Sequence, residues 1–172
     1  VGQAFDASCP SPALLKEIRE GRVPAGRALV PGCGRGYDVY ALAADDRVVI
    51  GMELAQKAAD AARELDHAKF SCESACPTNA KFEVGNFFDI KPSNEEEKFD
   101  FVYDYTFLCA LDPSVRTDWA KQMSSIIKKD GVLMTLVFPI CEKQGGPPFA
   151  VNLGIVEELL VNEGFEKLQV CT

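Results

Sequence analysis

The chain has 172 residues, 47% of them apolar, which suffices for one sizeable hydrophobic core but not comfortably for two. Its 26 acidic against 18 basic residues leave a net charge of −8, which argues against a nucleic-acid backbone as partner, because such binding needs clustered Lys and Arg. No apolar run approaches the roughly 20 residues needed to span a bilayer, so no membrane partner is expected.

Residues 13–20 follow Ser11-Pro12 and precede Gly21, a cap, a first-turn proline and a stop that together predict a helix. Residues 27–30 predict a short apolar strand running into glycines, 37–44 the helix after that turn, and 48–52 the next strand. The Ala-rich stretch 55–65 predicts a helix, and 71–79, with Pro77 and two cysteines, a loop. Two strands are expected at 81–84 and 99–103, separated by the acidic loop 93–98. Residues 113–128 have helical periodicity through Val115, Trp119, Met123 and Ile126, and Asp130-Gly131 turns into 132–138, an apolar run of the kind buried on both faces. A loop at 139–148, a helix at 153–163 and a last strand at 165–171 complete the reading.

Strands alternating with helices imply an α/β fold with a parallel sheet covered on both faces, in one domain over 1–172. Residues 1–26 are expected to lead into it as a lid segment. The first residue is Val1 and no signal peptide is legible, so both termini are read as truncated and the protein as cytoplasmic. Seven cysteines (Cys9, Cys33, Cys72, Cys76, Cys109, Cys141, Cys171) are an odd number without a framework, which fits reduced thiols. Cys72 and Cys76 lack a completing ligand set, so no metal is expected, and the single histidine, His67, reads as a surface residue.

In parallel sheets ligands bind beyond the carboxyl ends of the strands. After the first strand comes Gly32-Cys-Gly34-Arg-Gly36, a G-x-G-x-G spacing with Tyr37 where a dinucleotide fold would place its third glycine. The second strand ends at Glu53, whose carboxylate can accept from both ribose hydroxyls. After the third strand, Asn86 and Phe87 can hold an adenine by hydrogen bond and stacking, although adjacent phenylalanines are equally readable as core. The fourth strand ends in Asp104-Tyr105-Thr106-Phe107, polar and aromatic groups where the reacting end of a ligand should lie.

The segments VPGCGRGYDVYALA (30–43), GNFFD (85–89), FDFVYDYTFLCALDPSVRTDWAKQM (99–123), DGVLMTLVFPI (130–140) and GGPPF (145–149) resemble the thiopurine S-methyltransferase superfamily, and within it the halide/thiol methyltransferase branch. The resemblance runs from Phe5 through Phe165. It implies a Rossmann-like class I S-adenosyl-L-methionine-dependent methyltransferase with S-adenosyl-L-homocysteine as product. Its mostly parallel seven-strand sheet would end in an antiparallel hairpin whose last strand this chain lacks. It carries Gly32 over to the cofactor's methionine part, Glu53 to the ribose, and Asn86 with Phe87 to the adenine, and Gly34 and Gly36 of the same loop are also expected to bind the cofactor. Tyr105, beside Asp104, falls at the methyl-donor end, and Phe5 where the family has a tryptophan lid. The family usually has Asp at the position of Asn86.

Methyl transfer from a sulfonium is an in-line displacement with the nucleophile held about 3–3.5 Å from the methyl carbon. A halide, thiocyanate or bisulfide is already ionised and needs no base, which suits a chain with one histidine. Phe5, Tyr105 and Phe107 offer aromatic faces to the cation, and Pro139 with the loop at 145–148 another wall. Phe107 and Phe5 are also readable as core. Small organic or heteroaromatic thiols are the alternative substrates, with Asp104 as the deprotonating group. A NAD-dependent oxidoreductase is the alternative of another class, and Tyr37 weighs against it.

Overall fold

A computed structural model describes residues 8–65 and 77–171 of the chain. The elements in order are α1 (Pro12–Arg19), β1 (Gly26–Pro31), α2 (Tyr37–Leu42), β2 (Arg47–Glu53), α3 (Gln56–Arg63), β3 (Ala80–Val84), β4 (Phe99–Asp104), α4 (Arg116–Ile126), β5 (Ile127–Thr135) and α5 (Leu153–Asn162). The expected alternation of strand and helix is therefore present, with most boundaries within a few residues of the sequence reading. Phe5, His67, Cys72 and Cys76 lie outside the described residues, as does most of the loop expected at 71–79.

The five strands are parallel, in the order β3-β2-β1-β4-β5. The chain winds outward from β1 to β3, then crosses back to lay β4 on the other side of β1. This reversal leaves a crevice beyond the carboxyl ends of β1 and β4, where open α/β sheets take ligands.

Residue alternation along the central strands divides the core in two. Leu29, Ile50 and Val102 face Trp119, Met123 and Ile126 of α4 and Val156 of α5. Ala28, Val30, Val49, Phe101 and Tyr103 face Leu14 of α1 and Val39 and Leu42 of α2. In α4 the buried Trp119, Met123 and Ile126 recur at helical spacing, so one stripe meets the sheet. Fully burying a side chain of this kind stabilises by about 1.5–3 kcal/mol.

Two expectations need correction. β5 begins at Ile127, as soon as α4 ends, and its pairing with β4 jumps from Phe99↔Ile127 to Phe101↔Val132. Residues 128–131 are accommodated in that irregularity, where Lys128 pairs with Asp100 at 2.8 Å. The strand ends at Thr135 rather than 138 and is half-buried along 131–137 instead of buried on both faces. The reason is position: β5 has β4 on one side and, among the described residues, no strand on the other. Residues 165–171 form no strand; Phe165 packs on the core, while Leu168 and Val170 stay exposed. The sheet of the described residues thus has five strands.

Candidate active site

The loop after β1 carries Gly32, Gly34 and Gly36, all in the left-handed region at φ +59°, +55° and +80°. A Cβ on Gly32 would sit 2.7 Å from the Phe107 ring, and one on Gly36 would sit 2.6 Å from the Phe82 ring. Gly32 lets the loop close against the end of β4, and Gly36 lets α2 start against β3. Glu53, at the end of β2, accepts the Gly34 N–H at 2.8 Å through Oε1, so its carboxylate is already oriented by the loop.

These groups meet in a cleft of about 220 Å3. Gly32 comes from the end of β1, and Met52, Glu53 and Leu54 from the end of β2. Gly85, Asn86, Phe87 and Phe88 follow β3, and Phe107 and Leu111 follow β4. Phe87 is buried, with its ring edge-on to Phe88 at 5.2 Å and to Phe107 at 5.1 Å, and so forms the floor. Gln122 of α4 supports that floor from behind, donating Nε2 hydrogens to the Phe87 and Ile90 carbonyls at 3.0 and 2.8 Å. An apolar slot beside a fixed carboxylate has the two features a purine nucleoside requires. Five of the residues expected here, Gly32, Glu53, Asn86, Phe87 and Phe107, line the cleft together. Met52, Leu54, Phe88 and Leu111 were not foreseen, because apolar residues near strand ends carry no mark separating lining from core.

Asp104 is fully buried rather than facing the cleft. Its carboxylate accepts the Trp119 Nε1–H at 2.9 Å, the Leu108 N–H at 3.1 Å and the Phe107 N–H at 3.3 Å. Burial pushes its pKa up to about 6, against the pull of those three donors. A carboxylate so enclosed positions the turn after β4, and the geometry gives no support to its use as a base. Thr106, next in that turn but one, has φ +62°, uncommon for a β-branched residue, and sends Phe107 toward Gly32.

Tyr105 lies on the other face of the sheet, half-buried and stacked on Tyr103 with centroids 6.1 Å apart. Burial first, then Asp38, Cys9 and Cys109, push its phenol upward, so it remains an O–H donor. Cys33 is pushed up to about 12 by burial, Glu53 and Asp38, and stays a thiol rather than a competing nucleophile. Asp38, in the first turn of α2, accepts the Ser11 N–H at 2.7 Å. Pro139 does not line the cleft; its carbonyl accepts the Val151 N–H at 3.0 Å, anchoring the following loop. Arg116 is a functional candidate that the sequence reading missed. It is a buried cation whose Nη2 donates to the Ala150 carbonyl at 3.0 Å and whose buried Nε has no partner among the described residues.

The sequence model of the thiopurine S-methyltransferase family (TPMT) matches residues 2–170. The chain belongs to this family. Its relatives include the probable thiol methyltransferase 2 of Arabidopsis thaliana, 43% identical over 169 residues, covering 96% of this chain and 70% of that one. Thiocyanate methyltransferase 1 of the same plant is 37% identical over 166 residues, with 96% and 70% covered. A thiopurine S-methyltransferase of Shewanella sp. (strain MR-4) is 31% identical over 170 residues, with 89% and 73% covered. Among solved structures, magnesium protoporphyrin IX methyltransferase from Synechocystis PCC 6803 with bound SAH superimposes with a TM-score of 0.70 at 15% identity, over 91% of this chain and 72% of that one. The [4+2]-cyclase SpnF gives 0.66 at 18% identity, over 91% and 57%. At these identities the likeness is one of fold, and the cyclase shows that the fold alone does not name a reaction.

Family membership does name it: this is an S-adenosyl-L-methionine-dependent methyltransferase, and the oxidoreductase alternative falls away. The cleft fits that cofactor on its own evidence, since Glu53 presents a carboxylate oriented by the Gly34 N–H beside an apolar slot floored by Phe87. Among the described residues no helix is long and apolar enough to cross a membrane.

Proposed function

We propose that this methyltransferase acts on a small, soft, anionic nucleophile of the thiocyanate, bisulfide or halide type. The observation that carries the reading is the state of Asp104, a carboxylate at the end of β4 enclosed by three donors and withdrawn from solvent. A nucleophile that must first lose a proton gains nothing from it, whereas an anion arrives ready.

When bound, S-adenosyl-L-methionine supplies an electrophilic methyl group on a sulfonium. In this reading Gly32 admits its methionine part, Glu53, oriented by the Gly34 N–H, accepts from the ribose hydroxyls, and Asn86 and Phe87 hold the adenine, while Gly34 and Gly36 shape the loop without lining the cleft. Phe107, fixed over Gly32, flanks the transfer point, whereas Tyr105, on the other face of the sheet, and Pro139, outside the cleft, do not line it. The nucleophile's lone pair forms the new bond to the methyl carbon as the carbon–sulfur bond breaks, cancelling one positive and one negative charge. Arg116 supports the anionic character of the substrate: it places a permanent charge and an unused donor beneath the loop that follows β5.

The relatives named as thiol and thiocyanate methyltransferases favour the same acceptor chemistry. Small thiols, above all heteroaromatic ones that ionise unaided, are the second reading, favoured by the 43% identity to a probable thiol methyltransferase. The deciding experiment measures methylation of thiocyanate, iodide and an aliphatic thiol between about pH 6 and pH 9. Anion rates that stay flat while the thiol rate climbs with its ionised fraction are the expected result. A thiol rate that is higher than the anion rates and independent of pH sinks the proposal.

A further inference from the structure

The segment after β3 makes one tight turn, Phe87–Asp89, and its local bonds are few. Asn86 Oδ1 accepts the Phe88 N–H at 3.2 Å, and the Asn86 carbonyl accepts the Asp89 N–H at 2.9 Å. The bond that closes the turn, from the Ile90 N–H to the Phe87 carbonyl, is stretched to 3.4 Å. A three-residue turn held in this way is marginal by itself. Its first residue, Phe87, is nevertheless the buried floor of the cleft.

The side-chain amide of Gln122 supplies what the turn lacks. Its Nε2 carries two hydrogens and donates to the Phe87 carbonyl at 3.0 Å and the Ile90 carbonyl at 2.8 Å. One nitrogen thus bridges the first residue of the turn and the residue after it. Gln122 stands outside the stripe of Trp119, Met123 and Ile126 by which α4 packs on the sheet. With Phe88, Asp118, Lys121 and Ser125 it lines an open surface groove, so a change there removes two bonds without emptying the core. We propose that Gln122 is a positioning residue for the methyl donor: it does not line the cleft, but by fixing two backbone carbonyls it holds the floor that receives the nucleoside. It sets donor affinity and spares the transfer step, because the turn after β4 is held by Asp104 instead. The inference rests on the reading of this cleft as the nucleoside end of the cofactor site.

Gln122→Met keeps the length of the side chain and removes both donors, whereas Gln122→Lys restores a donor on a slightly longer stem. Gln, Met and Lys are nearly equal helix formers, so α4 itself is unaffected. Val156→Ala is the control, since it opens a cavity in the core beside α4 without touching the turn. Calorimetric titration of the full chain with S-adenosyl-L-homocysteine reads donor affinity, and steady-state methylation of thiocyanate separates KM for S-adenosyl-L-methionine from kcat. In Gln122→Met the Kd and the donor KM are expected to rise together by about five- to tenfold, with kcat within about twofold of wild type. Gln122→Lys is expected to recover most of that loss, and Val156→Ala to bind within about twofold of wild type. Unchanged affinity in Gln122→Met, an equal loss in Val156→Ala, or no recovery in Gln122→Lys overturns the role given to Gln122. Failure of the wild type to bind S-adenosyl-L-homocysteine at all overturns the reading of the cleft, and the inference with it.

Discussion

The indole Nε1–H of Trp119, in the middle of α4, donates to the carboxylate of Asp104, at the end of β4, across 2.9 Å in the fully buried interior. The same carboxylate holds the Phe107 and Leu108 amides, so the bond ties a core helix to the turn that places Phe107 over Gly32. Trp119→Phe keeps an aromatic ring but removes the donor and some volume, and is expected to destabilise by about 2–4 kcal/mol. Urea unfolding measures the loss. Because Phe107 loses its anchor, KM for S-adenosyl-L-methionine should rise as well.

Gly32 and Gly21 separate backbone strain from site geometry. Both have positive φ, +59° and +68°, but a Cβ at Gly32 strikes Phe107 whereas one at Gly21 meets nothing within 4 Å. Gly21→Ala should cost about 1–2 kcal/mol of stability and leave binding of S-adenosyl-L-homocysteine unchanged. Gly32→Ala should weaken that binding at least about tenfold, read by calorimetry. Equal binding losses in the two variants contradict the assignment.

Glu53 both orders the glycine loop and offers an oxygen to the ligand. Glu53→Gln retains an acceptor for the Gly34 N–H, while Glu53→Ala retains none. The expected order of affinity for S-adenosyl-L-homocysteine is wild type, then Gln, then Ala, with the last weakened by about 2–3 kcal/mol.

Burial pushes the Asp38 carboxyl up to about 6, although it accepts the Ser11 N–H. Ionisation is thus harder in the folded chain than in the unfolded one. Below about pH 4 the side chain is protonated in both states and carries no penalty. As pH rises from about 4 to about 6 the unfolded chain releases this proton first, so stability falls by on the order of 1–3 kcal/mol and then levels off. Asp38→Asn keeps an acceptor for Ser11 without titrating. The stability of the wild type relative to this variant should therefore decline over that window, as measured by urea unfolding at each pH; a rise has the wrong sign.

Arg116→Gln removes a buried charge while retaining a donor. KM for thiocyanate is expected to rise about tenfold or more, with binding of S-adenosyl-L-homocysteine within about twofold of wild type. Equal effects on an anion and on a neutral thiol would remove the substrate role given to this guanidinium.

The positions that converge on the cleft were legible because a parallel sheet fixes where strands end: Glu53 ends one, and Gly32, Asn86, Phe87 and Phe107 each come just after one. What could not be read depends on partners distant in the chain. Asp104 looks like a base from its neighbours, yet its environment is decided by Trp119, 15 residues on. Arg116 looks like a surface charge until Ala150, 34 residues on, is laid against it. The run at 132–138 has the composition of an interior strand, but exposure depends on what pairs beside it, and β5 stands at the sheet edge. Residues 165–171 have strand-forming side chains without a ladder to join.

Two side chains of α4, Trp119 and Gln122, are one helical turn apart, and they grip different loops. Trp119 holds the turn after β4 through Asp104, and Gln122 holds the turn after β3 through the carbonyls of Phe87 and Ile90. The helix therefore acts as a common strut for the nucleobase end and the methyl end of the site. Local opening of that one turn would loosen both ends at once, so occupancy of the cleft should slow amide hydrogen exchange along α4. Exchange there reports on a ligand that the helix backbone never touches.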